Sequence, residues 1–250
     1  MAFYASYRNE WDKLMFRKKY IIFLIIGIAL CLIWTGLGQA ISSFIRMQGG
    51  FAITFTQTPR GTLPFFLSIL VPFLMFMGVT DLLTVEEAEN TMKAMVFRPV
   101  ERWKLYFSKI LAVVSYAAVY LACIFVVSAV LNQIFGKPQS VSGLLIDLAS
   151  YALTLVPLAI LASFAALLAL LGRSGTLTMF LLIMAYILLS VLPVFFPILS
   201  EMLFTSYLSW YRLWIGAMPG AKMIHMLLIV LGYGVVFFTA GSLLFDRKEF

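Results

Sequence analysis

Charge is scarce in this chain: Asp, Glu, Lys and Arg together make up 12% of its 250 residues, while 63% are hydrophobic. A soluble domain carries roughly twice that share of charge, so a globular protein facing water on all sides is excluded. Acidic groups are scarcer than basic ones, 11 against 18, which leaves a formal charge of +7. The basic residues sit beside apolar runs and not in a separate polar domain, which argues against a nucleic-acid surface. The only histidine is His225, and the only cysteines are Cys31 and Cys123, both inside apolar runs. With no Cys-x-x-Cys or Cys/His neighbourhood, neither a disulfide framework nor a metal site is expected. The phosphate-cradling pattern Gly-x-x-x-x-Gly-Lys-Ser/Thr is missing as well; Gly136-Lys137 is followed by Pro138, so the chain is not expected to hold a nucleotide itself.

What the chain has in abundance is long apolar runs. A helix needs about 20 mostly apolar residues to cross a bilayer core about 30 Å thick. Backbone groups in lipid must be satisfied internally, and runs of this length are too long for barrel strands, so helices are expected. The runs place crossings at 20–41, 63–83, 106–131, 144–171, 176–199 and 223–245. The first resembles a signal peptide ahead of Gly38-Gln39-Ala40, but its basic region is long and its run reaches full membrane width, so a retained anchor is expected. Lys and Arg then fall unequally on alternate sides. One side takes Arg8, Lys13, Arg17, Lys18, Lys19, Lys93, Arg98, Arg102, Lys104, Lys109, Arg173, Arg247 and Lys248; the other takes only Arg46, Arg60, Lys137, Arg212 and Lys222. The positive-inside rule puts both termini in the cytoplasm. Asp81 and Asp147 lie close enough to the ends of their crossings to reach water, so structural roles are expected for both.

Polar residues concentrate in two places. Near the N-terminus, Phe3, Tyr7, Trp11, Leu14 and Lys18 recur at helical spacing, with Arg8, Asp12, Lys13 and Arg17 on other faces. This is the pattern of an amphipathic helix lying in the membrane interface against lipid headgroups. The other place is 84–109. Thr84-Val85-Glu86-Glu87 has the form of a capping box that opens a helix. Val85, Ala88, Met92 and Met95 form an apolar stripe, with Glu86, Glu87, Asn90 and Lys93 off it. Arg98-Pro99 ends this helix, and Pro99 can begin the next, which carries Trp103, Lys104 and Phe107 into the third crossing.

The run from Val85 through Lys109 resembles the cytoplasmic connection of permease subunits of the type-2 ATP-binding-cassette exporters, and the resemblance extends over nearly the whole chain. Glu86, Thr91, Pro99, Arg102 and Lys109 follow the family's order of acidic residues, Thr, proline, basic residue and Lys before the third crossing. Asn90 stands where the family usually has Gly, a mild departure because Asn tolerates left-handed geometry. The resemblance implies an all-α integral membrane protein forming a single permease domain. Six transmembrane helices would follow an amphipathic elbow helix over 1–19, with a cytoplasmic coupling segment at 84–105. Re-entrant extracellular helices would lie within 200–222, and a short cytoplasmic tail would occupy 246–250. It further implies contact with an ATPase through Glu86, Glu87, Thr91, Met92, Met95, Arg98 and Arg102, and an elbow helix presenting Tyr7, Trp11 and Arg17. The chain itself would be no enzyme: ATP and magnesium would sit in a cytoplasmic ATPase dimer. A second permease copy or a paralogue would complete the exporter, in a bacterial cell membrane and with no nucleic acid as partner. The cargo expected is amphipathic or hydrophobic: a peptide, a drug or a lipid-linked molecule.

Competing patterns are weaker. An ATPase-independent channel or secondary carrier would be expected to show internal repeats or charge at mid-membrane, and neither is found. Gly172-Arg-Ser174-Gly175 with His225 has the form of a rhomboid protease site, but a whole crossing separates the two side chains where a Ser–His pair needs about 3 Å. Pro99-Val-Glu101-Arg-Trp-Lys104 fits the signature of mitochondrial carriers once, where that family needs it in three repeats.

Overall fold

The computed structural model describes residues 2–38, 58–89, 101–135, 139–215 and 220–248, and every regular element among them is helical. Six stretches are long and apolar enough to cross a membrane: Lys18–Thr35, Pro59–Ala88, Arg102–Ile134, Val141–Ala169, Gly175–Phe195 and Met223–Arg247. We number the helices α1 (Ala2–Phe16), α2 (Lys18–Leu32), α3 (Pro59–Ala88), α4 (Arg102–Phe135), α5 (Val141–Leu153), α6 (Leu155–Ala169), α7 (Gly175–Phe195), α8 (Tyr211–Ile215) and α9 (Gly220–Arg247). Alternate crossings bring both ends of the described chain to one face, where α1 lies against α4.

The enclosed part of the bundle is built from α3, α4 and α6, with α2, α7 and α9 around it. Close approach is obtained with glycine. A Cβ at Gly27 of α2 would fall 2.1 Å from the Tyr120 hydroxyl of α4, and one at Gly241 of α9 would fall 2.0 Å from that of Tyr106. A larger residue at either position would push the helices apart.

Proline sets the kinks. Pro72, Pro157 and Pro193 have no N–H to give the carbonyl four residues earlier, and each orphaned carbonyl has a side-chain donor from elsewhere. Tyr186 Oη donates to Ser68 O at 3.0 Å, Trp210 Nε1 to Leu153 O at 2.6 Å, and Thr205 Oγ1 to Leu189 O at 3.1 Å. Two of these donors lie in the segment after α7, which folds as 3₁₀ turns Pro197–Glu201 and Phe204–Ser209 before α8. The fifth crossing stops at Phe195, short of the expected 199. Phe196 is extended at φ −126° and ψ 87°, the conformation that a following proline enforces.

Three π turns interrupt the α-helical ladder: Ile33–Leu37 after α2, and Phe66–Leu70 and Asp81–Val85 within α3. Each inserts about one residue into the helical register, so the residues beyond it change face. The second π turn of α3 overturns the capping box expected at Thr84. The helix runs through that position without restarting, and Thr84, buried, donates its hydroxyl hydrogen to Ala169 O at 3.0 Å.

Candidate functional site

The terminal face carries three neighbouring sets of ion pairs. At its centre, Glu10 and Lys13 stand three residues apart on α1 and therefore share a face. Glu86 follows the second π turn of α3, and Lys109 stands about two turns inside α4. These four side chains close a ring in which each carboxylate oxygen has its own ammonium contact. Lys13 Nζ lies 3.1 Å from Glu10 Oε1 and 2.7 Å from Glu86 Oε1. Lys109 Nζ lies 3.1 Å from Glu10 Oε2 and 2.7 Å from Glu86 Oε2. Glu10, Glu86 and Lys109 are 0%, 2% and 1% exposed. Burial to this depth is tolerated only because charge is matched by charge and the lone pairs and protons are used. Burial alone would push the Glu10 carboxyl up. The ammonium groups of Lys109 and Lys13 outweigh it and hold the group below its ordinary value of 4.5.

Two further sets of contacts flank the ring. Asp81, first residue of the second π turn, accepts from the Tyr20 hydroxyl at 2.6 Å and pairs with Arg17 at 3.3 Å and with Lys19. Arg17 is extended at φ −73° and ψ 124°, which ends α1 and turns the chain into α2. Asp81 therefore fixes that bend to α3. On the other flank, Lys248 Nζ reaches Glu87 Oε2 at 2.5 Å and Leu170 O at 2.7 Å. Arg102 Nη1 donates to Asp246 O at 2.7 Å and Lys248 O at 3.3 Å, satisfying carbonyls that the end of α9 leaves open.

Of the residues expected to meet a partner, Glu86, Glu87, Arg102, Tyr7, Trp11 and Arg17 are described; Thr91, Met92, Met95 and Arg98 lie outside the described residues. Glu86 is turned inward, its carboxylate spent on Lys13 and Lys109. Glu87 and Arg102 stay at the rim, held by the chain's C-terminal end. Tyr7 stacks on Trp11 with ring centroids 6.5 Å apart and donates to Ser115 Oγ at 3.0 Å, so α1 presents its aromatic face to α4. Glu10 was absent from the expected site. Its signal was the Glu10/Lys13 spacing beside a lysine, Lys109, embedded in an apolar run.

Next to the cluster, a groove of about 800 Å³ opens between the end of α3 and the start of α7. Asp81, Glu89 and Arg173 supply its polar side, and Met77, Met179 and Phe180 its apolar side. On the far side of the bundle, His225 lies near the start of α9, a full crossing from Ser174 at the start of α7.

No curated protein matches the chain. The sequence profile described as ABC-2 family transporter protein matches residues 7–189, from α1 through most of α7. With six apolar helices and this match over most of its length, the chain belongs to the ABC-2 transporter family, as a multi-pass membrane permease.

Proposed function

We propose that the chain is the membrane half of an exporter in a bacterial cell membrane, with both termini cytoplasmic. A separate dimer of ATP-binding-cassette subunits, holding ATP and magnesium, would drive it. Membership of the ABC-2 family implies an ATPase partner in general. The observation that carries the finer reading is the four-charge ring. The connection between α3 and α4 leaves and re-enters the bundle beside it, at Glu86 and Glu87 on one end and Arg102 and Lys109 on the other. A push on this connection reaches α1, α3 and α4 together, through ion pairs, and the end of α9 through Lys248. In this reading α1 serves as the elbow helix, with Tyr7, Trp11 and Arg17 locking it to the bundle. Thr91, Met92, Met95 and Arg98 touch the ATPase, and Glu87 and Arg102 set the rim. Two permeases, identical or paralogous, pair over the ATPase dimer. The outward re-entrant helices lie within 200–222. A groove with one polar and one apolar side supports an amphipathic cargo.

The test is the double substitution Met92→Asp and Met95→Asp. Burying one Met contributes roughly 1.5–3 kcal/mol, so replacing two by charge removes most of a small interface. The variant is expected to insert in membranes at wild-type level and to lose both the co-purifying ATPase and cargo-stimulated ATP hydrolysis. Undiminished ATPase recovery and transport would sink the coupling assignment.

A further inference from the structure

On the face opposite the termini, α3 begins beside α5 and α8. There a pocket of about 340 Å³ is lined by Thr58, Arg60, Gly61, Tyr211, Arg212 and Ile215. Two of these side chains are guanidinium groups and none is acidic. Asp147 of α5, its side chain 1% exposed, lies 3.7 Å from Arg60 Nε. The Tyr211 hydroxyl accepts from Arg212 Nε at 3.4 Å. Each guanidinium is thus held by the nitrogen nearest its stem, and among the described residues nothing accepts from the two terminal nitrogens of either. A pair of terminal N–H groups held in one plane matches two oxygens of a carboxylate or phosphate. Two cations on one small pocket repel, and the single carboxylate behind Arg60 offsets only one of them. Thr58 Oγ1, which accepts from Gly61 N at 3.3 Å, keeps a hydrogen of its own to donate.

We propose that Arg60 and Arg212 form a binding site for a phosphate-class oxyanion on the face opposite the termini, recognised by the paired N–H groups of both guanidiniums. The pocket lies where α3 enters its crossing, so the oxyanion is either the phosphate of a lipid headgroup or a dissolved ion. Neither source depends on the direction of transport.

The full chain, purified in detergent, is titrated with inorganic phosphate against chloride at matched ionic strength, with thermal unfolding as readout. In parallel it is exchanged into mixed phosphatidylglycerol and phosphatidylcholine micelles for native mass spectrometry. The informative variant is Arg212→Gln, which leaves Arg60 on the buried Asp147 carboxylate and the fold supported. For a dissolved ion, phosphate raises the wild-type midpoint saturably and Arg212→Gln weakens the apparent affinity about tenfold or more, as loss of a charged hydrogen-bond pair requires. For a lipid, phosphate has little effect on either protein, while phosphatidylglycerol stays on the wild type and dissociates from Arg212→Gln. Equal behaviour of the two proteins toward both probes would overturn the assignment.

Discussion

At the scale of single residues, Lys109 is the most consequential side chain described. It is buried, and it closes the ring between Glu10 and Glu86. Replacing it by Met strands two carboxylates on Lys13 alone, and breaking a buried ion pair from one side costs about 3–5 kcal/mol. Lys109→Met is therefore expected to unfold at markedly lower temperature in detergent, and adding Glu10→Gln should restore most of the loss by removing the surplus charge. If the double variant is no more stable than the single one, the ring is not the electrostatic unit described. The pH dependence has a definite sign. Glu10 is held below its ordinary value, so its contribution is fully present above about 4.5 and is lost as pH falls through the lowered folded-state value. Lys109→Met should respond the opposite way, gaining relative stability on mild acidification because a proton can take the missing ammonium's place. Part of this was legible beforehand: Lys109 in an apolar run and the Glu10/Lys13 spacing both stand in the sequence. Their convergence was not, because nothing local in Glu10 or Lys109 records that α1 lies across α4.

At the scale of elements, the prolines and π turns decide what periodicity can reveal. Each π turn shifts the residues beyond it by about 100°, the angle of one α-helical residue, so two of them in α3 move its far end by about 200°. The second π turn ends at Val85, and just beyond it Glu86 is buried while Ala88 is exposed. Pro72, Pro157 and Pro193 stand in the sequence, each without an N–H to give; the donors that serve the orphaned carbonyls cannot be read there, since Tyr186, Trp210 and Thr205 are distant in sequence from them. Trp210 allows a direct test. Trp210→Phe keeps an aromatic ring, though a smaller one, and removes the N–H, leaving Leu153 O without its donor at an expected cost of about 1–3 kcal/mol. In a Pro157→Ala background the new backbone N–H can serve that carbonyl, and the same substitution should cost much less. Equal costs in both backgrounds, measured by thermal unfolding, would show that Trp210 acts through packing alone.

At the scale of the molecule, the count of crossings followed directly from composition, because a bilayer imposes a length that apolar runs must meet. Both ends of the described residues lie on one face of the bundle: Lys248 bonds Glu87, and α1 packs on α4. Which face is cytoplasmic rests on the distribution of Lys and Arg, and labelling decides it. In a background without Cys31 and Cys123, Ser206→Cys should react with an impermeant maleimide on intact cells, and Lys93→Cys only after permeabilisation. The reverse pattern would invert the topology. The charge ring has one more consequence, an electrical one. A single elementary charge carried through the full field of a membrane at 100 mV involves about 2.3 kcal/mol of work. Glu10, Lys13, Glu86 and Lys109 sum to zero, so moving them as a body along the membrane normal involves almost none. The ring itself can shift inward or outward without the membrane potential favouring either position.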